Sequence, residues 1–218
     1  MKDRLALNRN LSIHRRDSFR NMPVQNFDNG LITEYLDNAY HVIGFALDEY
    51  PRTTAIRIDL RIPFNIEVVG QSLISNFFAS LKAQLSADLN KKEREGKRVH
   101  SCNLRYIWVK EKNEALNYHY HVVLFFNGHA YKALGDYKAL SGNMAARIKK
   151  AWASALRYHI DDIGGLAHFP KNNTYSVNKN GNSYQDELNA LFYRISYLAK
   201  VDTKVFNRAG RSFGCSIS

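Results

Sequence analysis

The sequence predicts an α+β fold: an antiparallel β-sheet of about five strands covered by helices. Three observations carry that expectation. Short alternating or β-branched runs are interspersed with longer segments of helical period. The two most strand-like runs, Leu104–Val109 and Tyr118–Phe126, are joined only by Lys110–Asn117, a link short enough to require an antiparallel pair. No strand is followed by the Gly-rich turn of a parallel nucleotide-binding unit, so the pattern fits a sheet layered with helices.

The elements follow in order. Residues 1–30 are polar and basic, with Arg15, Arg16 and Arg20 and no sustained period, and are expected to form a flexible arm before a domain spanning residues 31–218. From Gly30 to Glu49, Leu31, Ile32, Tyr35, Leu36 and Tyr40 recur at helical spacing. Thr54–Arg61 alternates, with Ile56, Ile58 and Leu60 on one face, and Pro63 ends it. A long amphipathic helix is expected over Val69–Leu89, then the two strands named above. Residues 142–160 read as helix. Leu166–Val177, with Pro170 and Asn172-Asn173, reads as two short strands around a turn. A last helix is expected over Gln185–Ala199, and Arg208–Gly214 reads as irregular.

Composition narrows the function classes. The 218 residues carry 31 Lys+Arg against 20 Asp+Glu, a net charge of +11, which favours a polyanionic partner, nucleic acid first and an anionic membrane surface second. With 45% hydrophobic residues the chain can bury a substantial core, yet no apolar run approaches the ~18 residues of a bilayer span. Cys102 and Cys215 show no C-x-x-C spacing and are expected as reduced thiols of a cytoplasmic protein, with a single disulfide between them as the alternative.

Two patterns carry chemistry. His119 and His121 stand at i and i+2 of a strand, so both imidazoles point to one face, with Val123 and Phe125. Two core histidines would look the same, and a metal site needs further ligands. Glu111, at the end of the preceding strand, reaches the same face if the hairpin loop centres near residues 113–115; Glu114 is the competitor at the loop tip. Two imidazoles and a carboxylate suit Mn²⁺, Mg²⁺ or Zn²⁺. In the last helix, Leu188, Leu191, Phe192, Ile195 and Ala199 fill one face, leaving Tyr193, Tyr197, Lys200 and Lys204 on the other. A tyrosine pair at that spacing is ordinarily core, but here the core stripe is already occupied. Neighbouring lysines stabilise a phenolate and neutralise a phosphate. Five Lys/Arg and one Asp lie within residues 193–211, and Lys204, Arg208 and Arg211, with Arg57, are expected to meet phosphates. His100, His129 and His168 have no partner spacing and are read as structural.

Together these residues resemble the HUH endonucleases, the family of rolling-circle replication initiators and relaxases. His119-Tyr120-His121 is similar to the family's metal motif. Tyr193-Arg-Ile-Ser-Tyr197-Leu-Ala-Lys200 is similar to the Tyr-x-x-x-Tyr-x-x-Lys motif of phage initiators, and Ile56–Pro63 resembles their first motif. The wider chain, about residues 31–218, resembles inovirus-type replication proteins of filamentous phages and prophages. The resemblance implies site-specific nicking and joining of single-stranded DNA, dependent on Mg²⁺ or Mn²⁺ held by Glu111, His119 and His121. Tyr197 would attack to give a 5′-phosphotyrosine, with Lys200 beside it, and Tyr193 would serve a second transfer. It further implies a single-stranded or hairpin origin as substrate, a host helicase and DNA polymerase as partners, the bacterial cytoplasm as location, and a monomer or dimer. No G-x-x-x-x-G-K-[ST] loop is present, so no helicase domain is expected. Readings that remain open are a non-cleaving nucleic-acid-binding regulator on the same fold, a relaxase or transposase of the same superfamily, and a zinc hydrolase in which the tyrosines are incidental.

Overall fold

In the computed structural model, which describes residues 3–64, 72–112, 118–204, 206 and 211–216, the chain begins with four short strands. These are β1 (Arg4–Leu5), β2 (Asn8–His14), β3 (Ser18–Phe19) and β4 (Met22–Pro23). Next come β5 (Leu31–Ile32), α1 (Thr33–Glu49), β6 (Arg52–Arg61), α2 (Ser72–Arg94), β7 (Arg105–Lys112) and β8 (Tyr118–Asn127). The second half holds α3 (Met144–Leu156), β9 (Ala167–His168), β10 (Thr174–Asn178), α4 (Tyr184–Ser196) and β11 (Phe213–Cys215). A 3-10 turn, Tyr197–Ala199, continues α4.

The central sheet runs β10-β6-β8-β7-β11, with β9 also pairing β6, and every pairing is antiparallel. The fold is therefore α+β, as the sequence predicts, with one strand more than expected in the main sheet. Side chains alternate across each strand, and here both faces are covered. Ile56, Ile58, Leu60, Val122, Leu124 and Phe126 pack under α2 and α3, where Phe77, Leu81, Ile148 and Trp152 are fully buried. Ala55, Val123, Phe125, Ile107 and Val109 face the other way and pack with α1 and α4 through Leu36, Ile43, Leu191, Phe192 and Ile195. Sheet strands buried on both faces explain the near-continuous apolar run of β8.

Local signals set the helix ends. The Asn143 side chain accepts the Ala146 N–H at 2.9 Å and caps α3, which ends at Arg157 in the left-handed region. Asp186 and Glu187 stand in the first turn of α4, and Lys91, Lys92 and Arg94 in the last turn of α2, each favourable to the helix dipole.

Two segments differ from expectation. Residues 3–30 do not extend away from the domain: β2 pairs with β5 across the boundary placed near residue 30, and Leu5, Met22 and Val24 are buried. Their strands are too short to show a period, and packing on α1 and α4 holds them. The C-terminal segment read as irregular contains β11, which pairs with β7 so that Gly214 lies against Trp108. A Cβ at Gly214 would meet the indole at 2.6 Å, so only glycine allows this close approach. Cys102 and Cys215 are free thiols.

Asp88 ties the helical layer together. It accepts from Tyr131 Oη at 2.8 Å, pairs with Lys92 at 2.8 Å, and binds Arg147 of α3. Burial works against its ionisation, but Lys92, Tyr131 and Arg147 outweigh that and hold its carboxyl below the ordinary value of 3.8. A lowered folded-state pKa gives stability that is full above the unfolded value and fades as pH falls through the folded one. Asp88→Asn is thus expected to cost about 1–3 kcal/mol at pH 7. Its melting-temperature deficit against wild type should shrink below pH 3.8; a deficit independent of pH would mean the charge is not what matters.

Candidate metal and tyrosine site

The ladder register assembles one wall of the site. Arg61, His119 and Glu111 lie in one row across β6, β8 and β7; Asp59, His121 and Val109 lie in the next. All share the face that packs under α1 and α4, so Glu111 stands directly opposite His119 at the end of the β7–β8 hairpin where the two strands are joined. His119 Nε2 and His121 Nε2 are 3.0 Å apart. Glu111 Oε2 is 3.4 Å from His121 Nε2 and 3.9 Å from His119 Nε2. The three residues form a buried cluster whose ligand atoms lie within 4.8 Å of one another and that could hold a metal ion.

The donor set fits a divalent ion. Two nitrogens sharing one ion at roughly 2.1 Å stand about 3 Å apart when their bonds meet near a right angle, which matches the two Nε2 atoms. Burial, and then the neighbouring His121, pushes His119 down to about 4, so its imidazole is neutral at pH 7 and free to ligate. His121 Nδ1 lies 2.5 Å from Asp59 Oδ1. A proton held there leaves Nε2 as a lone pair facing the cluster, the usual role of a carboxylate behind a ligating histidine. Burial alone would raise Asp59, but the bond and charge of His121, with Arg57, bring it down to about 2. Glu111 is held below the carboxylate range against burial, by His121 and then Lys204.

Glu111 is oriented from the C-terminal side. Lys204 Nζ binds Oε1, Thr203 Oγ1 donates to Oε2 at 2.7 Å, and Lys200 Nζ stands 3.6 Å from Oε2. An isolated bridge between Glu111 and Lys204 brings that segment alongside β7. Burial pushes the fully enclosed Lys204 down to about 8, with Glu111 acting in the other direction.

Tyr197 enters from the end of α4. Its ring meets the His121 ring edge-on at 5.5 Å and Phe27 at 5.9 Å. Lys200 Nζ donates to its hydroxyl at 3.0 Å, and the Arg57 guanidinium lies 4.7 Å from its ring centre. Desolvation lowers Lys200, but its bond to Tyr197 and the charge of Glu111 leave it raised overall, a firmly held cation. Tyr193 is 47% exposed and its side chain has no hydrogen-bond or ring partner among the described residues.

The structure therefore brings Glu111, His119, His121, Tyr197 and Lys200 together and sets Tyr193 apart. Arg57 and Lys204, expected to meet phosphates, are buried and turned inward. The Lys204 placement follows from the helix ending at Ser196, eight residues before it. Arg211 is exposed; Arg208 and Glu114 lie outside the described residues. Sequence reasoning missed Asp59, Thr203 and His168, whose Nδ1 is 3.5 Å from Asp59 Oδ2 across the β6–β9 pair. Asp59 had one available signal, its position on the polar parity of an alternating strand. His168 had none.

An antiparallel α+β domain with a buried Glu-His-His cluster beside a lysine-bound tyrosine is the class that fold and site define. The chain belongs to the YagK/YfjJ C-terminal domain family, whose family model matches residues 14–216. It is 40% identical over 194 residues to the uncharacterized protein YagK of Escherichia coli (strain K12), covering 85% of this chain and 93% of that one. It is 33% identical over 196 residues to the uncharacterized protein YfjJ of the same strain, covering 85% and 94%. No solved structure matches the chain. Among the described residues no helix is long and apolar enough to cross a membrane.

Removing the carboxylate behind His121 tests the cluster. Asp59→Asn is expected to weaken Mn²⁺ binding by about 10–100-fold, read by paramagnetic-resonance titration of free Mn²⁺. Glu111→Ala should weaken it more than Glu114→Ala does. Equal losses from the two glutamate variants would remove Glu111 from the ligand set.

Proposed function

We propose that the protein is a phage- or prophage-type rolling-circle replication initiator, a metal-dependent nuclease that nicks and rejoins single-stranded DNA through a tyrosine ester. The observation that carries this reading is the Tyr197 hydroxyl, bound by Lys200 and standing beside the Glu111–His119–His121 cluster. A binding module has no need for that combination. A divalent ion, Mg²⁺ or Mn²⁺, held by Glu111 Oε2, His119 Nε2 and His121 Nε2 would supply Lewis-acid polarisation of a phosphate oxygen.

The chain's own residues do the rest. Tyr197 Oη attacks phosphorus, an O–P ester forms, and the bond from phosphorus to the 3′-oxygen breaks. The phenolic proton passes to solvent and the departing 3′-oxygen takes one up, leaving a 5′-phosphotyrosine and a free 3′-hydroxyl. The Lys200 ammonium, donating to the Tyr197 hydroxyl at 3.0 Å, orients the oxygen and stands ready to meet the charge of the attacked phosphate. Arg57, 4.7 Å from the ring centre, and His121, edge-on to it, pack the Tyr197 ring in place. Rejoining reverses these bonds. Tyr193, one helical turn back and exposed, is placed for a second transfer only if bound DNA reaches it. Single-stranded or hairpin origin DNA is the substrate in this reading, and a host helicase and polymerase extend the 3′-end.

A labelled random single-stranded library on a denaturing gel tests this. Wild type with Mn²⁺ is expected to yield a covalent protein–DNA adduct, absent with EDTA and absent in His119→Ala/His121→Ala. Tyr197→Phe should lose the adduct yet keep Mn²⁺ binding, whereas Tyr193→Phe should keep it. Cleavage without an adduct would shift the account to a metal-activated water. DNA binding without cleavage by wild type would favour a non-cleaving regulator.

A further inference from the structure

At the end of the sheet opposite the tyrosine, the loops after β8 and before β7 meet the start of β6. Buried Asn127 clamps them: its Nδ2 donates to Ser101 O at 2.8 Å, and its Oδ1 accepts the His129 N–H at 2.9 Å. The Gly128 N–H donates to Arg52 O at 2.7 Å, and a Cβ at Gly128 would sit 2.9 Å from that oxygen, so glycine is required for the approach. The clamp fixes Arg52 beside His129 and sets the His100 and His129 rings 5.3 Å apart. Arg52, Arg98, His129 and Lys132 are exposed. His129 is held below the ordinary histidine value, by desolvation first and then by Arg52, His100, Lys132 and Arg98. Three of these neighbours, Arg52, Lys132 and Arg98, carry permanent positive charge.

No acid among the described residues offsets the charge of this cluster. Elsewhere on the surface Lys91 and Lys97 pair with Glu95, Lys179 with Asp48 and Arg105 with Glu49. Among the described residues no carboxylate lies within ion-pair distance of Arg52, Arg98 or Lys132. The adjoining cleft of about 480 Å³ is lined by Arg52, His129 and the amides of Asn127, Asn178 and Asn180. Preorganised like charges next to neutral hydrogen-bonding groups suit an acceptor-rich polyanion, and the nearby Asn side chains can donate to its oxygens.

We propose that Arg52, Arg98, His100, His129 and Lys132 form a second nucleic-acid contact, one that grips phosphodiester groups remote from the tyrosine. Arg52 and Asp59 are seven residues apart on β6, roughly 23 Å at about 3.3 Å per residue. The contact therefore engages DNA beyond the segment at the tyrosine. It deepens the proposed nuclease reading, but its own readout is binding, not cleavage.

The test is fluorescence anisotropy with a labelled single strand of about thirty nucleotides, from about 50 to 200 mM salt. Arg52→Gln/Arg98→Gln/Lys132→Gln is expected to make the slope of log K against log salt shallower by about 2, because each neutralised phosphate contributes roughly 0.7 on a single strand. Lys91→Gln/Lys97→Gln/Lys179→Gln removes the same net charge from paired lysines and should leave the slope near wild type. An unchanged slope in the first variant overturns the proposal, as does an equal fall in the second, which would show a general charge effect. Lys132→Gln alone, expected to shift the slope by about 0.7, guards against misfolding of the triple variant. The covalent adduct on a short strand should persist in the triple variant. Loss of slope change with a retained adduct would refute this contact alone; an adduct missing from wild type would refute the nuclease reading alone.

Discussion

Everything in the site depends on ladder register. A strand has a side-chain period of two, so sliding β8 by one residue against β6 would send His119 and His121 into the apolar layer under α2 and α3. It would also bring Tyr120 and Val122 to where the imidazoles now stand. The register is held by apolar layers on both sheet faces, each of which fits only one parity. Ile56, Ile58 and Leu60 demand one side, Ala55, Val123 and Phe125 the other. The polar residues at the end of the second face are carried into place by packing they take no part in.

The second constraint is charge balance away from water. Asp59 and Glu111 are enclosed with Arg57, Lys200 and Lys204, two acids among three bases. Each charge is tolerated because another stands beside it, and removing one strands its partner. Lys200 also donates to the Tyr197 hydroxyl. Such a site has a fixed electrostatic character before any ligand arrives, and its side chains have little freedom to relax around a visitor.

What could be read from sequence was what is local. The β7–β8 hairpin, with its five-residue gap between Lys112 and Tyr118, fixes which residue faces His119, so Glu111 was legible. So was the apolar stripe of α4. The position of Asp59 depends on β6 lying next to β8, strands separated in the chain by α2 and β7, and spacing carries no trace of that. Lys204 was assigned to a helix face because the helical pattern runs on past Tyr197; the chain instead turns at Lys200, which bridges to Leu31, and then meets β7. The four strands before residue 30 were illegible for another reason. Most are two residues long, and their order comes from the domain they pack on.

That return of the chain has a consequence for biosynthesis. Glu111, His119 and His121 are all made before α3, whereas Tyr197, Lys200, Thr203 and Lys204 are made only after it and α4. Chains fold from the N-terminus as they emerge, so a nascent chain carries β7 and β8 well before it carries Tyr197. Until Lys204 arrives, the Glu111 carboxylate lacks the cation that lets it be buried. Completion of the core around it is thus coupled to synthesis of the segment through Lys204, and a chain stopped before Tyr197 would have the Glu-His-His cluster without the lysine-bound tyrosine.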